Sequence, residues 1–398
     1  MMNDSNFTEE VTYNSTFALP PHEWQHVVQK IELYYTPVLV VLGSVGNSIS
    51  MLVFFSTKLR KLSSSFYLGA LAISDTGFLI TLFVTWLEML DVSFFSRPGF
   101  CSLFNYMAFV CSFLSSWFVV AFTVERFVAV RYPLRRPSMC TVTRAKAVLL
   151  GLTLLGLIAF SPYAFIIHAV PQPKENGTAA MYCDIKEDWK PFANIYNYAD
   201  TVVTFCLPVV VISALNASIS QTVWRLARVR RSMTLLERSA PPASAEQGHR
   251  SSGRRSKVRS TSSQTKVTKM LLVVSTVFLC LNLPSYVMRV LSFVMVNGTS
   301  AQEAQQFVII QHLLNQLFNT NFGINFALYC ISGQNFRRSL VSMCCPRLHR
   351  RHDTTQVTAV SEYLRSSGSI GRRRTVTLNG FQVQGSWKDA HELLPLTK

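Results

Sequence analysis

Ionisable side chains lie inside apolar stretches of this chain, where their chemistry needs an explanation. Asp75 lies in the middle of one stretch, and the adjacent pair Glu125-Arg126 lies towards the end of another. A charge within a bilayer is costly, so such residues usually face a polar interior, pair with one another or belong to a functional site. Glu125 and Arg126 can pair at rest and separate when the arginine meets another partner. Interfacial anchoring is the alternative for that pair.

The other residues do not predict catalysis. The apolar stretches hold no paired carboxylates, no His-rich metal cluster and no nucleophile motif, and most of the eight histidines lie elsewhere. We therefore predict that the chain is not an enzyme and holds no structural metal. A membrane transporter is a distant alternative, because transporters usually contain internal repeats and none is visible in this sequence.

Seven apolar stretches must position these groups. With 49% hydrophobic and 15% charged residues, the chain has fewer charges than the roughly 25% of a soluble protein. A helix of about 20 residues spans a bilayer and satisfies its own backbone hydrogen bonds. We predict an all-α membrane protein, a bundle of seven transmembrane helices. The stretches are Glu32–Phe55, Ser65–Glu88, Phe100–Arg126, Ala145–His168, Tyr196–Ala217, Val267–Val294 and Phe307–Ile331.

The net charge of +17 is concentrated in two segments, which predicts the orientation in the membrane. Residues 225–269 include 12 basic and 2 acidic side chains, and residues 335–398 include 11 basic and 4 acidic ones. Basic connections remain in the cytosol. The basic runs flank membrane segments and lack aromatic platforms, which argues against nucleic acid as a partner. We predict a multi-pass protein of the plasma membrane, with its amino terminus extracellular and its carboxyl terminus cytosolic.

The extracellular side is predicted to carry sugars and one disulfide. Of the nine cysteines, only Cys101 and Cys183 fall on this side, and an exported pair in an oxidising compartment favours a disulfide. The tail 1–31 and two outer loops also contain the glycosylation sequence N-x-S/T. Its asparagines are Asn3, Asn6, Asn14, Asn176 and Asn297.

The cytosolic side is predicted to be less ordered. We expect a disordered basic loop over 229–263, a short amphipathic eighth helix over 335–345 and a disordered tail over 346–398. Cys344 and Cys345 are candidates for palmitoylation, and two free thiols are the alternative. Basic residues next to Ser and Thr predict kinases and an arrestin-like protein as partners.

Short motifs follow one another in a fixed order along the seven stretches. They are Gly46-Asn47, Leu71-Ala72-Ile73-Ser74-Asp75, Glu125-Arg126-Phe127, Leu134 after Pro133, Pro208, Pro284 and Asn325-Phe326-Ala327-Leu328-Tyr329. In this order they resemble the rhodopsin-like (class A) G-protein-coupled receptors, over about Glu32–Cys345. The resemblance implies a receptor that activates a heterotrimeric G protein.

The same resemblance implies two groups of residues inside the bundle. An activation switch and G-protein contact would comprise Glu125, Arg126, Phe127, Leu134, Phe278, Asn282, Pro284, Asn325 and Tyr329. A pocket for an allosteric sodium ion, the one possible cofactor, would comprise Asn47, Asp75, Ser115, Asn321 and Asn325. The sequence departs from the family at Asn282, where a tryptophan is usual, which leaves Phe278 as the main aromatic of the helix-six switch.

The class of ligand follows from exclusion and from the resemblance. Ala108 replaces the aspartate of amine receptors, and Asn319 replaces the lysine that binds retinal in opsins. A long loop of mixed charge and an acidic outer mouth favour a small, amidated neuropeptide; a lipid or small metabolite is the alternative. Within the family, two stretches resemble invertebrate neuropeptide receptors, above all the arthropod CNMamide receptors, followed by FMRFamide- or thyrotropin-releasing-hormone-type receptors. The ligand contacts implied are Trp86, Glu88, Tyr106, Met107, Arg289, Gln311 and Asn315.

Overall fold

The computed structural model describes residues 21–173, 179–239, 251–295, 301–344, 376–378 and 381–383. Some predicted modification sites lie outside these residues, and their assignments stay predictions. They are Asn3, Asn6, Asn14, Asn176, Asn297 and Cys345.

Helices of more than ten residues make up most of the described chain. They are α1 (Pro21–Ser56), α2 (Ser63–Leu87), α3 (Phe100–Arg131), α4 (Val142–Ala159), α5 (190–239), α6 (Ser251–Met295), α7 (Ala301–Ser332) and α8 (Gln334–Cys344). Short helical turns in the connections are Lys58–Lys61, Glu88–Leu90, Arg136–Met139, Tyr163–Ile166 and Glu187–Trp189.

The first seven of these helices form the predicted bundle. Each of α1 to α6 contains a described segment that is long and apolar enough to cross a bilayer. The seventh, α7, is 32 residues long but rich in Asn and Gln, and Asn319, Asn321 and Asn325 are buried. Its polar face therefore points into the bundle, where it packs between α1 and α6. The prediction of an all-α membrane protein with seven helices is confirmed.

The helix α5 changes its winding just before Pro208. It is α-helical over Lys190–Asp200, a π-helix over Thr201–Cys206 and α-helical again over Leu207–Ser239. Proline has no amide hydrogen and clashes with the preceding turn, and a wider π turn accommodates that loss. Asp200, at the start of the widened turn, is buried.

A β-hairpin covers one end of the bundle. Strand β1 (Ile167–Pro173) pairs antiparallel with β2 (Ala179–Ile185). A disulfide joins Cys183 on β2 to Cys101 at the start of α3, with the two Cα atoms 5.8 Å apart. The predicted disulfide is confirmed. We call this the hairpin end, and we call the opposite end, which contains Arg126, the arginine end.

Separate groups of apolar side chains pack at the two ends. At the hairpin end they include Val110, Phe113, Phe118, Phe160 and Ile212. At the arginine end they include Phe122, Ile219, Leu271, Tyr329 and Phe336. Each end thus has its own core, and α3 contributes to both.

Helices α1 and α7 approach each other through glycine. A Cβ atom placed on Gly43 would lie 2.8 Å from the Cα atom of Gly323, and one on Gly323 would lie 2.6 Å from a side-chain carbon of Leu39. Small residues allow helices in a membrane to pack this closely. The two helices are therefore held together by direct backbone contact.

Two segments predicted to be disordered contain regular structure. Helix α5 continues to Ser239 and α6 begins at Ser251, so most of 229–263 is helical. The prediction followed the basic, Ser-rich composition, but Arg, Leu, Met and Glu in this segment are good helix formers. Within the predicted tail, β3 (Val376–Leu378) and β4 (Phe381–Val383) form an antiparallel hairpin. The eighth helix differs from the predicted 335–345 by one residue at each end.

Candidate functional site

The buried carboxylate of Asp75 lies at the centre of the bundle. Its Oδ1 accepts a hydrogen bond of 2.7 Å from Ser115 Oγ on α3, and its Oδ2 accepts one of 2.7 Å from Asn325 Nδ2 on α7. Asp75 has no solvent-exposed surface. Three helices thus meet at one carboxylate, and three of the predicted sodium-pocket residues are in direct contact.

The other two predicted pocket residues, Asn47 and Asn321, are also buried. Asn47 Nδ2 donates to the carbonyl of Phe322 over 2.9 Å, and Asn325 Nδ2 approaches the carbonyl of Asn321 at 3.4 Å. Asn47 Oδ1 has no hydrogen-bond partner among the described residues. A hard cation takes oxygen ligands, and the carboxylate of Asp75, the hydroxyl of Ser115 and the unpaired amide oxygen of Asn47 are donors of that kind.

At the arginine end, Arg126 is paired with its neighbour. Its Nη2 donates to Glu125 Oε1, and both side chains are buried. The guanidinium also lies over the ring of Phe122, 5.7 Å from the ring centroid. Its Nε has no partner among the described residues. Glu125 therefore neutralises the positive charge of Arg126, while the Nε donor of the guanidinium makes no hydrogen bond to a described residue.

Apolar side chains of α6 and α7 pack in one cluster with Phe122, whose ring lies next to Arg126. Met270 and Leu271 of α6 belong to the same apolar cluster as Phe122 and Tyr329. The fully buried ring of Tyr329 contacts Phe54 edge-on at 5.4 Å between centroids, and its hydroxyl has no partner among the described residues. The packing leaves both charged side chains buried, so a partner protein has no access to Arg126 in this arrangement.

Two other predicted contact residues, Phe127 and Leu134, differ in exposure. Leu134 follows Pro133 in the connection after α3, and 95% of its surface is exposed. Phe127 is half-buried against the arginine-end core. A large apolar side chain exposed in this way is available to a partner protein.

The predicted switch on α6 is built from local contacts. Phe278 is buried in the core, and Asn282 Nδ2 donates to its carbonyl over 2.7 Å. Pro284, two residues later, lacks the amide hydrogen that a helix needs at that position. Asn282 therefore binds the backbone of its own helix, where a tryptophan ring would pack against other helices.

Near the hairpin end, Arg289 links α6 to α5. Its Nη2 donates to Asn197 Oδ1 and lies 3.4 Å from Asp200 Oδ2. Asp200 Oδ1 accepts a further bond of 2.6 Å from Thr204 Oγ1. The sequence predicted a role for Arg289 but missed Asn197 and Asp200. The signal was available, because Asp200 is an acid within an apolar stretch, as Asp75 is.

A second polar group joins α6 to α7. Asn315 Oδ1 accepts hydrogen bonds from Ser285 Oγ at 2.8 Å and from Gln311 Nε2 at 2.9 Å. Gln311 Oε1 is buried and has no partner among the described residues. One turn separates Ser285 from Arg289, so the predicted ligand residues on α6 and α7 lie close together.

Three further predicted ligand residues form bonds within the chain. Trp86 Nε1 donates to the carbonyl of Leu33, and the Tyr106 hydroxyl donates to that of Leu157. Glu88 Oε1 accepts from both the amide and the hydroxyl of Ser96, at 2.8 and 2.5 Å. The predicted Met107 is half-buried. Ligand contact by these four residues stays a prediction.

A cavity of about 350 Å³ opens beneath the hairpin. Its apolar walls come from α3, from the helical turn that follows α4 and from the hairpin. Phe109, Tyr163 and Ile185 are among the residues that line it. The cavity also reaches Asn197, the residue that accepts from Arg289. The sequence did not predict this cavity, because it depends on how the hairpin folds over the bundle.

The comparison with known proteins agrees with this arrangement. The protein-family model described as 7 transmembrane receptor (rhodopsin family) matches residues 46–323 of this chain. Similar proteins include Neuromedin-U receptor 1 of Homo sapiens, 26% identical over 360 residues, which are 84% of this chain and 79% of that receptor. The FMRFamide receptor of Drosophila melanogaster is 25% identical over 338 residues, 78% of this chain and 53% of that receptor. Cysteinyl leukotriene receptor 1 of Mus musculus is 24% identical over 335 residues, which are 81% of this chain and 82% of that receptor. This chain belongs to the rhodopsin family of seven-transmembrane receptors.

Proposed function

We propose that this protein is a plasma-membrane receptor for a small, amidated extracellular peptide, and that it activates a heterotrimeric G protein. The observation that carries the proposal is the buried Glu125–Arg126 pair, next to the apolar cluster of α6 and α7, at the end where the exposed Leu134 lies. The hairpin end would be extracellular and the arginine end cytosolic, as the basic segments favour.

The proposed mechanism is a shift between a closed and an open bundle. A ligand that contacts Arg289 or Asn315 binds α6 near its hairpin end and favours an outward position of the other end of that helix. Arg126 then leaves Glu125. The G protein would meet Arg126, Leu134 and basic side chains such as Arg228, which lies at the arginine end of α5.

The names of the relatives support a peptide ligand. Neuromedin-U receptor 1 and the FMRFamide receptor are named for peptides. The narrower resemblance to CNMamide receptors makes peptides of that type the first to test. Cysteinyl leukotriene receptor 1 is named for a lipid and matches at a similar identity. A lipid or small metabolite is therefore the second candidate ligand.

A cell assay tests the receptor function. Cells expressing the full chain are exposed to a panel of amidated neuropeptides, and calcium and cyclic AMP are recorded. We expect a response to at least one peptide, and we expect Arg126→Ala to abolish it at unchanged surface expression, because the arginine would contact the G protein. A panel without any response, at good surface expression, would contradict the peptide and favour the lipid or metabolite.

We further propose that Asp75, Ser115 and Asn47 hold a sodium ion that stabilises the closed bundle. When bound, the ion would supply a positive charge opposite the buried carboxylate. We expect replacing external sodium by choline to raise basal signalling in the parent chain and to have no effect in Asp75→Asn. The readout independent of activity is thermal stability of the purified receptor, which should rise with sodium only in the parent. Equal sodium dependence in both proteins would rule out this site.

The other proposals concern regulation. Exposed Cys344, at the end of α8, is proposed as a palmitoylation site, together with Cys345. The predicted glycosylation sites would lie on the extracellular side. Kinases acting on the basic, Ser-rich cytosolic segments, followed by an arrestin-like protein, would end the signal.

A further inference from the structure

A hydrogen bond joins α5 to α6 in the half of the bundle that contains the arginine end. Asn216 Nδ2 on α5 donates to Ser275 Oγ on α6 over 2.8 Å. Ser275 is buried, and its neighbours Leu271 and Val274 belong to the arginine-end core. The two polar groups therefore meet in an apolar surrounding, where a hydrogen bond is stronger than in water.

The hydroxyl of Ser275 fixes the direction of this bond. It donates its hydrogen to the carbonyl of Leu271, one turn earlier in α6, over 2.8 Å. A hydroxyl has a single hydrogen, so towards Asn216 it acts as an acceptor. The amide of Asn216 must therefore present its Nδ2 to α6. Its Oδ1 is left buried, without a partner among the described residues.

Moving α6 away from α5 would leave the amide of Asn216 without any partner. Within the described chain, the bond to Ser275 is the one side-chain hydrogen bond that Asn216 makes. Ser275 keeps its bond to Leu271 wherever α6 lies, because both residues belong to that helix. Asn216 would then have two unsatisfied polar atoms next to apolar side chains, which is costly. The contact therefore opposes an outward position of α6.

The ion pair at the arginine end does not make an equivalent contact. Glu125 and Arg126 are neighbours on α3, so their bond lies within one helix. The polar contacts of α6 from Ser285 and Arg289 lie several turns away, towards the hairpin end. The bond to Asn216 therefore adds a specific attachment to the apolar packing of α6 in the arginine-end half.

We propose that Asn216 and Ser275 form a latch that holds α6 against α5 and sets the level of signalling without ligand. The latch is uncharged, and the net contribution of a bond between neutral groups is modest, so binding of a ligand is sufficient to release it. This inference rests on the proposed function, because it assigns the control of the same movement of α6 to two further residues.

The first test compares two substitutions of Ser275 in the full chain. Ser275→Thr keeps the hydroxyl, and Ser275→Ala removes it with little change in size. We expect basal calcium or cyclic AMP signalling, divided by surface expression, to rise about fivefold in Ser275→Ala, because Asn216 Nδ2 loses its acceptor in the closed bundle. Ser275→Thr should stay within about twofold of the parent chain. Equal basal signalling in Ser275→Ala and the parent would overturn the proposal.

A matched control and a combined variant show whether one bond is responsible. Ser218 on α5 donates to the carbonyl of Ala214 in its own helix, so Ser218→Ala should leave basal signalling unchanged. Asn216→Ala should raise it several-fold. Combined with Ser275→Ala it should raise it no further, because two partners of one bond do not add. Fully additive effects would show that the two residues act separately and would overturn the latch.

The second test detects the movement of α6 without a signalling assay. Ile219 has no exposed surface and lies in the arginine-end core. In the purified full chain, Ile219→Cys therefore reacts with the small neutral reagent methyl methanethiosulfonate when that core opens. We expect Ser275→Ala to speed this labelling about fivefold and Ser275→Thr to leave it within about twofold. The chain without Ile219→Cys reports labelling of its other cysteines.

The two readouts separate the latch from the proposed function. Faster labelling in Ser275→Ala, with no signalling by any variant at good surface expression, would retain the latch and contradict the receptor function. Equal labelling of the Ser275→Ala and Ser275→Thr variants, in a chain that responds to a peptide, would overturn the latch and leave the receptor function intact. Faster labelling with unchanged basal signalling in such a chain would also overturn the proposed control of signalling.

Discussion

Replacing Glu125 by Gln is expected to raise signalling in the absence of ligand. The substitution keeps the size of the side chain but removes the charge that Arg126 binds in the closed bundle. A buried hydrogen bond between charged groups contributes about 1.5 to 3 kcal/mol. If the substitution destabilises the closed state by about 1.4 kcal/mol, the ratio of open to closed receptor rises roughly tenfold. Basal cyclic AMP or calcium signalling, divided by surface expression, measures the change.

A surface ion pair provides the matched control. Glu187 is 81% exposed and pairs with Lys190, so Glu187→Gln makes the same chemical change where water screens the charges. We expect its basal signalling to equal that of the parent. Glu125→Gln combined with Arg126→Ala should be silent, because the arginine that would contact the G protein is then absent. Unchanged basal signalling in Glu125→Gln alone would show that the pair does not hold the bundle closed.

Replacing Cys183 by Ser is expected to abolish ligand response and to reduce surface expression. The disulfide to Cys101 spans 82 residues and holds the hairpin over the cavity, which Cys183 itself lines. Removing such a bond typically costs about 2 to 5 kcal/mol. A loss of this size reduces the amount of folded protein in cells several-fold. Without the disulfide, the hairpin is also no longer held over the cavity. Surface labelling and the agonist response per receptor measure the two effects separately.

Two controls show whether the bond itself is responsible. Cys280→Ser removes an exposed free thiol on α6 and should leave both readouts unchanged. Cys101→Ser combined with Cys183→Ser should be no worse than either single substitution, because two partners of one bond do not add. Clearly additive losses would indicate that the two cysteines stabilise the protein separately.

The surroundings of Asp75 were largely predictable from the sequence, and those of Arg289 only in part. A carboxylate within an apolar stretch needs polar neighbours, and the motifs on α3 and α7 supplied Ser115 and Asn325. The same rule applies to Asp200, but no motif drew attention to it. Asp200 directly precedes the π turn over Thr201–Cys206, and its side chain contacts Arg289 of α6.

The hydrogen-bond partners of the predicted ligand residues could not be predicted from the sequence. The helical repeat gives the face on which a side chain lies, but the partner across the interface depends on the crossing of two helices. Tyr106 accordingly bonds to α4, and Trp86 bonds to α1. The bond from Glu88 to Ser96 depends on the path of a loop. No periodicity in the sequence encodes that path.

The polar face of α7 has a consequence for the synthesis of the protein. A segment enters the bilayer from the translocon according to the sum of its residue contributions, and this sum is less favourable when Asn and Gln are frequent. Taken alone, α7 would expose Asn319, Asn321 and Asn325 to hydrocarbon. It is made after the other six of the seven spans, so α1, α2 and α6 are already present to receive that face. A defect in one of these earlier helices would therefore delay insertion of the last one, and the unfinished chain would be a substrate for cellular quality control.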